Sequence, residues 1–331
     1  MSRSISAFTV TELTEDLSAC EMRSIDLANP APGEVQVRVE AAAIGFPDLL
    51  MTRGGYQFKP PLPFVPANEG AGVITALGSD VTGWAIGDRV ICNSRTGLLQ
   101  QAANLEAAVL RPLPDHLSFE RGAASTSAYL TAYVSLVRRG QLEPGGTLLV
   151  HGAAGGVGLA AVEMGKLLGA RVIAAGSTEE KRAVAKSKGA DEVIDSAPGF
   201  RDRVKELTGG KGADVIYDPV GGDVFNESLR CVAWGGRLLV VGFASGRIGQ
   251  VSANYPLIKG FSVVGVRAGE YARRDPVRGA ENIAQIQTWL EQGKLNPHVG
   301  ATFPLSRARE AFELMDNRGA LGRIVIRPNA D

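Results

Sequence analysis

The stretch Thr147–Gly176, TLLVHGAAGGVGLAAVEMGKLLGARVIAAG, restricts the fold more than any other part of the chain. An apolar run (TLLVHG, 147–152) enters a glycine-rich turn, a helical segment follows, and a second apolar run (RVIAAG, 171–176) closes the unit. A strand, a glycine turn, a helix and a second strand make a βαβ unit, which requires a parallel sheet. Gly155 and Gly156, with Val157 in the first helical turn, let backbone N–H groups approach a pyrophosphate. Gly158 lets the helix pack close to the sheet, and the helix N-terminus supplies a favourable dipole for an anion. The strict G-x-G-x-x-G fingerprint is not met, because Ala153 stands at its first glycine. The strand before and the helix after carry the reading instead: a dinucleotide-binding turn.

The same rhythm continues downstream. TEEKRAVAKSKG reads as a charged amphipathic helix, EVIDS (192–196) as a strand, FRDRVKELTGG as a helix and ADVIYDPV (213–220) as a strand. The helical FNESLRCVA and the strands GGRLLVVGF (235–243) and FSVVGV (261–266) follow. Strands alternating with helices predict a doubly wound α/β fold. The first 120 or so residues differ: short segments such as EVQVRVEAAAI and GAGVITAL alternate with turn signals, so they read as β-rich. Crowded prolines in PPLPFVP (60–66) mark an irregular loop. Beyond about 276 stand one helix, VRGAENIAQIQTWLEQG, and a strand-like GRIVIRP. A length of 331 residues itself argues for two domains.

Charge and cysteine use exclude several roles. Lys plus Arg balance Asp plus Glu at 35 each, so no global field draws the protein to nucleic acid or an anionic membrane. No stretch approaches the roughly 18 apolar residues of a membrane span, and MSRSISAFTV is not patterned as a secretory signal. Cys20, Cys92 and Cys231 are far apart and odd in number, which fits reduced thiols in a cytoplasmic protein.

The end of the second strand selects the cofactor. An NAD site places an acid there for the ribose 2′-hydroxyl. This chain has Ala175-Gly176-Ser177, then Lys181 and Arg182 one turn into the helix. A carboxylate would repel a 2′-phosphate, whereas a hydroxyl and cations would hold it. The expectation is NADPH, with Ser177 and Lys181 as contacts.

Several long motifs occur in order: FPDLLMTRGGYQFKPPLPFVPANEGAGVI, LTAYVSL, VHGAAGGVGLAAVEMGK, VKELTGGKGADVIYDPVGG, WGGRLLVVGFASG and SVVGVRAGEYARRDP. Through them the chain resembles, nearly end to end, the zinc-independent quinone oxidoreductase branch of the medium-chain dehydrogenase/reductases. The resemblance implies a GroES-like β-rich catalytic domain in two parts, 1–125 and 266–331. A Rossmann dinucleotide-binding domain, 126–265, lies between them in sequence. It implies cofactor contacts from Tyr129 and Thr131 near the nicotinamide, from the loop Gly242-Phe243-Ala244-Ser245, and from the strand end Val266-Arg267. It also implies a homodimer built through FSVVGV.

Where zinc-dependent relatives carry a Cys and a His, this chain has Gly45 and Asn68, and its three histidines and three cysteines form no cluster in sequence. No metal is expected, and Glu69 then reads as a structural carboxylate. Without a Lewis acid, the fitting chemistry is hydride delivery from NADPH to an already electrophilic carbon: a quinone or an α,β-unsaturated carbonyl. Tyr56, in MTRGGYQ, matches in position the proton-donating tyrosine of related enoyl-thioester reductases. Two departures bear on the cofactor: Gly45 replaces a common Asn, and Ser196 replaces a common aromatic at the adenosine end. The alternatives are an enoyl-thioester reductase, with Arg53, Lys59 and Arg267 as phosphate contacts, and a non-enzymatic, crystallin-like NADPH-binding protein.

Overall fold

The alternating apolar pattern of the first hundred residues forms antiparallel strands in the computed structural model, which describes residues 3–330. Two compact units result: one takes the chain up to Thr126 and from Asn296 onward, the other Ser127–Leu295. In the first, β1 (Arg3–Val10) pairs antiparallel with β2 (Cys20–Leu27). The strand β3 (Glu34–Ile44) sits at the centre of a larger sheet. It leads through Gly45 into the short helix α1 (Phe46–Thr52) and pairs with β4 (Glu69–Leu77). From there β5 (Arg89–Asn93) adds to β4, β6 (Ala102–Glu106) pairs β3, and β7 (Arg111–Pro112) adds to β5. The helix α2 (Phe119–Ala123) closes this part, its Gly122 lying against Leu113 and Ala71.

The second unit opens with α3 (Ser127–Tyr133), extended by a widened helical turn through Val134–Arg139. Next come β8 (Thr147–Val150), α4 (Gly156–Leu167), β9 (Arg171–Gly176), α5 (Glu179–Ser187), β10 (Glu192–Asp195) and α6 (Phe200–Leu207). Beyond them lie β11 (Ala213–Asp218), α7 (Gly222–Ser228), β12 (Val232–Val240), α8 (Asn254–Lys259) and β13 (Ser262–Gly265). The six strands are parallel, in the order β10-β9-β8-β11-β12-β13. This is the doubly wound order, whose direction of winding reverses between β8 and β11; ligands of such sheets bind outside the carboxyl ends of the strands near that reversal. One face of the sheet presents Leu149, Ile173, Ile194, Ile216 and Leu238 to Phe200, Val204, Phe225 and Leu229.

The helices α9 (Ala268–Arg274) and α10 (Pro276–Glu291) belong to this unit as well, although the sequence reading grouped them with the C-terminal catalytic part. α10 buries Ile286 and Leu290. Its Asn282 Oδ1 accepts from Arg138 Nε at 2.8 Å, and Trp289 tilts against Tyr133 at 5.7 Å. The chain then returns to the first unit. β14 (Val299–Pro304) runs parallel to β15 (Arg323–Arg327), β15 joins β3 antiparallel, and the intervening α11 (Ala308–Asp316) stacks Phe312 on Phe8 at 5.8 Å.

His151 continues the face of Leu149 one residue beyond β8 and is fully buried, edge-on to Phe200 at 4.9 Å. Ser228 Oγ donates its proton to the Val224 carbonyl at 2.7 Å, so the 2.8 Å bond to His151 must be donated by the ring Nε2–H. Nδ1 is buried with no partner for a second proton, and burial pushes the pKa down from 6.5 to about 3, so the ring is neutral. The unfolded chain takes up this proton first; stability present above pH 6.5 is lost as pH falls toward 3, by up to about 1.4 kcal/mol per pH unit. We predict that thermal midpoints fall between pH 6.5 and 5 more steeply for the natural chain than for His151→Gln. Identical slopes would contradict the assignment.

Candidate functional site

The site is assembled at the carboxyl edge of the parallel sheet. Between β8 and α4 the chain turns sharply: Gly152 has φ +55°, and Gly155 N–H donates to its carbonyl at 3.0 Å. Ala153 N–H donates to Ala175 O at 3.2 Å, tying the turn to the end of β9. A side chain at Gly158 would collide with the Gly152 carbonyl and with Ala153 Cα, so only glycine allows α4 to begin this close to the turn. Gly155, Gly156 and Val157 are half-buried around the first turn of α4, where backbone N–H groups lack helical partners and the dipole is positive. The cradle fits a dinucleotide pyrophosphate.

The end of β9 is equally compact. A Cβ at Gly176 would meet Lys181 Cβ and Arg182 Cγ, each at 3.3 Å, so this glycine brings the start of α5 against the strand end. Thr178 caps α5 by accepting from Lys181 N–H at 3.2 Å, and Ser177 before it is exposed. Arg182 Nη1 donates to Gly176 O at 3.0 Å and lies 3.4 Å from Asp195 at the end of β10. The Asp195 carboxylate is thus answered by an arginine. Ser196 N–H reaches Gly176 O at 3.4 Å, which places Ser196 at the same edge.

A residue that the sequence reading missed organises the middle of the edge. Asp218, at the end of β11, is buried and accepts from Val220 N–H at 2.8 Å and Gly221 N–H at 3.0 Å. Burial raises its pKa, opposed by those two bonds. Its main chain receives Val241 N–H at 2.9 Å, while Pro219 O and Val220 O receive Ala244 N–H and Ser245 N–H at 3.0 and 2.9 Å. The loop Gly242-Phe243-Ala244 is therefore strapped along the Asp218–Val220 turn, with Phe243 exposed. Acid, proline and paired glycines in DPVGG were the available sequence signal for a turn. Val266 N–H donates to Val240 O at 2.9 Å, setting Val266 and the exposed Arg267 on the same edge. Glu270 lies 3.9 Å from Arg267.

Tyr129 and Thr131 belong to α3, which packs against α4, and Tyr56 belongs to the first unit. Tyr129 is buried, its hydroxyl donating to Glu163 of α4, which also pairs with Lys188 at 3.8 Å. Burial first and Glu163 second hold its pKa well above the usual tyrosine value, so it stays protonated. Thr131 Oγ1 donates to Ser127 O at 2.8 Å. Tyr56, in the first unit, packs half-buried against the core there.

The first unit holds a buried charge cluster below Gly45. Arg323 of β15 pairs with Glu69 of β4, with side-chain exposures of 9% and 1%. Asp48 of α1 accepts from Gly45 N–H at 2.8 Å and Ala67 N–H at 3.0 Å. Burial raises Asp48 to about 6 against the opposing pull of its hydrogen bonds and of Arg323; burial lowers Arg323 to about 10. Catalytic zinc needs converging thiolate, imidazole or carboxylate ligands. Here glycine stands at position 45, asparagine at 68, and a guanidinium occupies Glu69, so this donor set does not fit zinc.

Two protein families match the chain: the Alcohol dehydrogenase GroES-like domain over residues 31–136 and the Zinc-binding dehydrogenase family over 156–284. A "Quinone oxidoreductase-like protein 2 homolog" of Nematostella vectensis is 41% identical over 303 residues, covering 90% of this chain and 82% of that protein. A "Quinone oxidoreductase" of Homo sapiens is 32% identical over 307 residues, covering 91% and 92%. A mycobacterial protein solved in complex with NADPH has a TM-score of 0.87 and 31% identity, covering 98% of this chain and all of the other.

Because Gly158 leaves no room for a methyl group beside the Gly152 carbonyl, Gly158→Ala is expected to weaken dinucleotide binding at least about tenfold, or ~1.4 kcal/mol. Fluorescence titration with NADPH checks this; unchanged affinity would mean that the turn does not hold the pyrophosphate.

Proposed function

The chain belongs to the medium-chain dehydrogenase/reductase family, in its quinone oxidoreductase group, and we propose that it transfers hydride from NADPH to a quinone or an α,β-unsaturated carbonyl without a metal ion. The observation that carries the choice of cofactor is the end of β9. Ser177 is exposed there, Lys181 lies in the first turn of α5, and the nearby Asp195 is answered by Arg182. That arrangement suits a 2′-phosphate. The NADPH complex of the mycobacterial neighbour supports the same reading.

When bound, the cofactor supplies the hydride; the protein binds and orients it. Gly155, Gly156 and Val157 hold the pyrophosphate through backbone N–H groups, and Ser177 and Lys181 hold the 2′-phosphate. The strapped Gly242–Ala244 loop and the Val266-Arg267 strand end orient the nicotinamide half, with Tyr129 and Thr131 supporting from α3. Quinones take protons from water after reduction, whereas an enone requires a proton at carbon, for which Tyr56 is the donor proposed. The Arg323–Glu69 pair supports metal independence, because the acid is already satisfied by a cation.

An enoyl-thioester reductase is the second reading, favoured by the exposed Lys59 and Arg267. It is weakened at Arg53, whose guanidinium is bidentate to Asp316 at 3.0 and 2.6 Å and also donates to Glu15 O at 2.9 Å. A homodimer is proposed through the edge strand β13, beside which Trp234, Leu257 and Ile258 are 80%, 81% and 71% exposed. A cytoplasmic location fits three free, buried thiols. No helix among the described residues is long and apolar enough to cross a membrane.

Steady-state kinetics with a quinone and a crotonyl thioester test these readings together. NADPH is expected to outperform NADH, and Lys181→Ala to raise KM for NADPH about tenfold, or ~1.4 kcal/mol, with NADH unaffected. Tyr56→Phe should slow only the thioester or enone. Failure of every quinone and enone to oxidise bound NADPH would overturn the proposal. Light scattering checks the dimer, and a monomer at micromolar concentration would contradict it.

A further inference from the structure

We propose that His151 and Ser228 are positioning residues for the dinucleotide: their buried hydrogen bond fixes the root of the glycine turn against α7, so that the N–H groups of the turn meet the pyrophosphate. This rests on the reading that the turn holds that pyrophosphate. His151 is the residue at which β8 passes into the turn. Its own N–H donates to Tyr217 O at 3.0 Å, at the end of β11, and Gly152 follows at φ +55°. Its ring Nε2–H donates at 2.8 Å to Ser228 Oγ, in the last turn of α7. Ser228 gives its single proton to Val224 O, so toward the ring it acts only as acceptor, and Phe200 lies edge-on to the ring at 4.9 Å. Residue 151 is thus held to β11 through its main chain and to α7 through its side chain.

Stability does not account for the pair. Both side chains are fully buried beside a layer built from Leu149, Ile216, Phe200, Phe225 and Leu229. Burying polar groups costs desolvation, and exchanging both partners for apolar side chains of similar size is typically neutral or stabilising. What an apolar pair lacks is direction: packed hydrocarbon tolerates small slides, whereas a hydrogen bond weakens steeply when its distance or angle changes. The position fixed at 151 passes on within one residue. The Gly152 carbonyl receives Gly155 N–H at 3.0 Å and closes against Gly158 without room for a Cβ. Displacing residue 151 therefore displaces the start of α4, and with it the N–H groups of Gly155, Gly156 and Val157.

The test titrates the whole protein with two ligands: NADPH, and adenosine 2′-monophosphate, which carries the 2′-phosphate but no 5′-phosphate to meet the turn. The main variant combines His151→Leu with Ser228→Ala, so that neither partner is left buried and unpaired. Its thermal midpoint should be unchanged or raised, while Kd for NADPH rises about tenfold and Kd for the monophosphate stays the same. Ser228→Ala alone should weaken NADPH in the same way. His151→Gln keeps a side-chain N–H near the Nε2 position and should bind NADPH to within about twofold of the natural chain. NADPH affinity that survives both the double variant and Ser228→Ala would overturn the assignment. So would an equal loss of both ligands, or a loss that His151→Gln shares, because either marks a purely structural role. A natural protein that binds no dinucleotide would overturn the reading of the turn and this assignment with it, whereas binding that ignores the pair overturns the assignment alone.

Discussion

The close approach of α4 to the glycine turn is the contact on which the rest of the second unit depends. The helix starts where it does only because Gly158 has no side chain to meet the Gly152 carbonyl, and that start aims unpaired N–H groups outward from the end of β8. The same economy recurs at Gly176, where the start of α5 closes on β9. At Gly221 and Gly222, φ values of +72° and +59° turn the chain after Asp218. Parallel strands, buried on both faces, force the connecting loops to one edge. Glycines then decide how near those loops come to a ligand.

The first unit solves a different problem. Glu69, Asp48 and Arg323 are all buried, and burying charge is expensive unless partners and hydrogen bonds compensate. Asp48 is compensated by two backbone N–H groups and Glu69 by Arg323. The guanidinium thus supplies the cation that satisfies Glu69 inside this unit.

Much of this was legible in the sequence where a periodic pattern met a single burial environment. EVQVRVEAAAI became β3 over Glu34–Ile44 and RVIAAG became β9 over Arg171–Gly176, because alternation or continuous apolar character leaves few other ways to bury those residues. The helix VRGAENIAQIQTWLEQG was legible as a helix, but its amphipathic stripe does not say which unit it covers; Asn282 and Trp289 answer that only through Arg138 and Tyr133. Side-chain commitments were less legible still. Nothing local to Tyr129 announces that its hydroxyl goes to Glu163, and Arg323 meets Glu69 across 254 residues of chain. The Arg323–Glu69 pairing is fixed by the register of β15 on β3 and of β3 on β4, which no short window contains. The expectation that Glu69 is a structurally satisfied acid matches its pairing, while its partner was not foreseen.

The proposed chemistry is hydride transfer from a glycine-cradled NADPH without a metal. The direct test is quinone-dependent loss of NADPH absorbance by protein dialysed exhaustively against a strong chelator, with its metal content measured by mass spectrometry. The account predicts a full rate at negligible zinc content, unchanged when zinc is returned. A rate that collapses on chelation and recovers in proportion to bound zinc would contradict it.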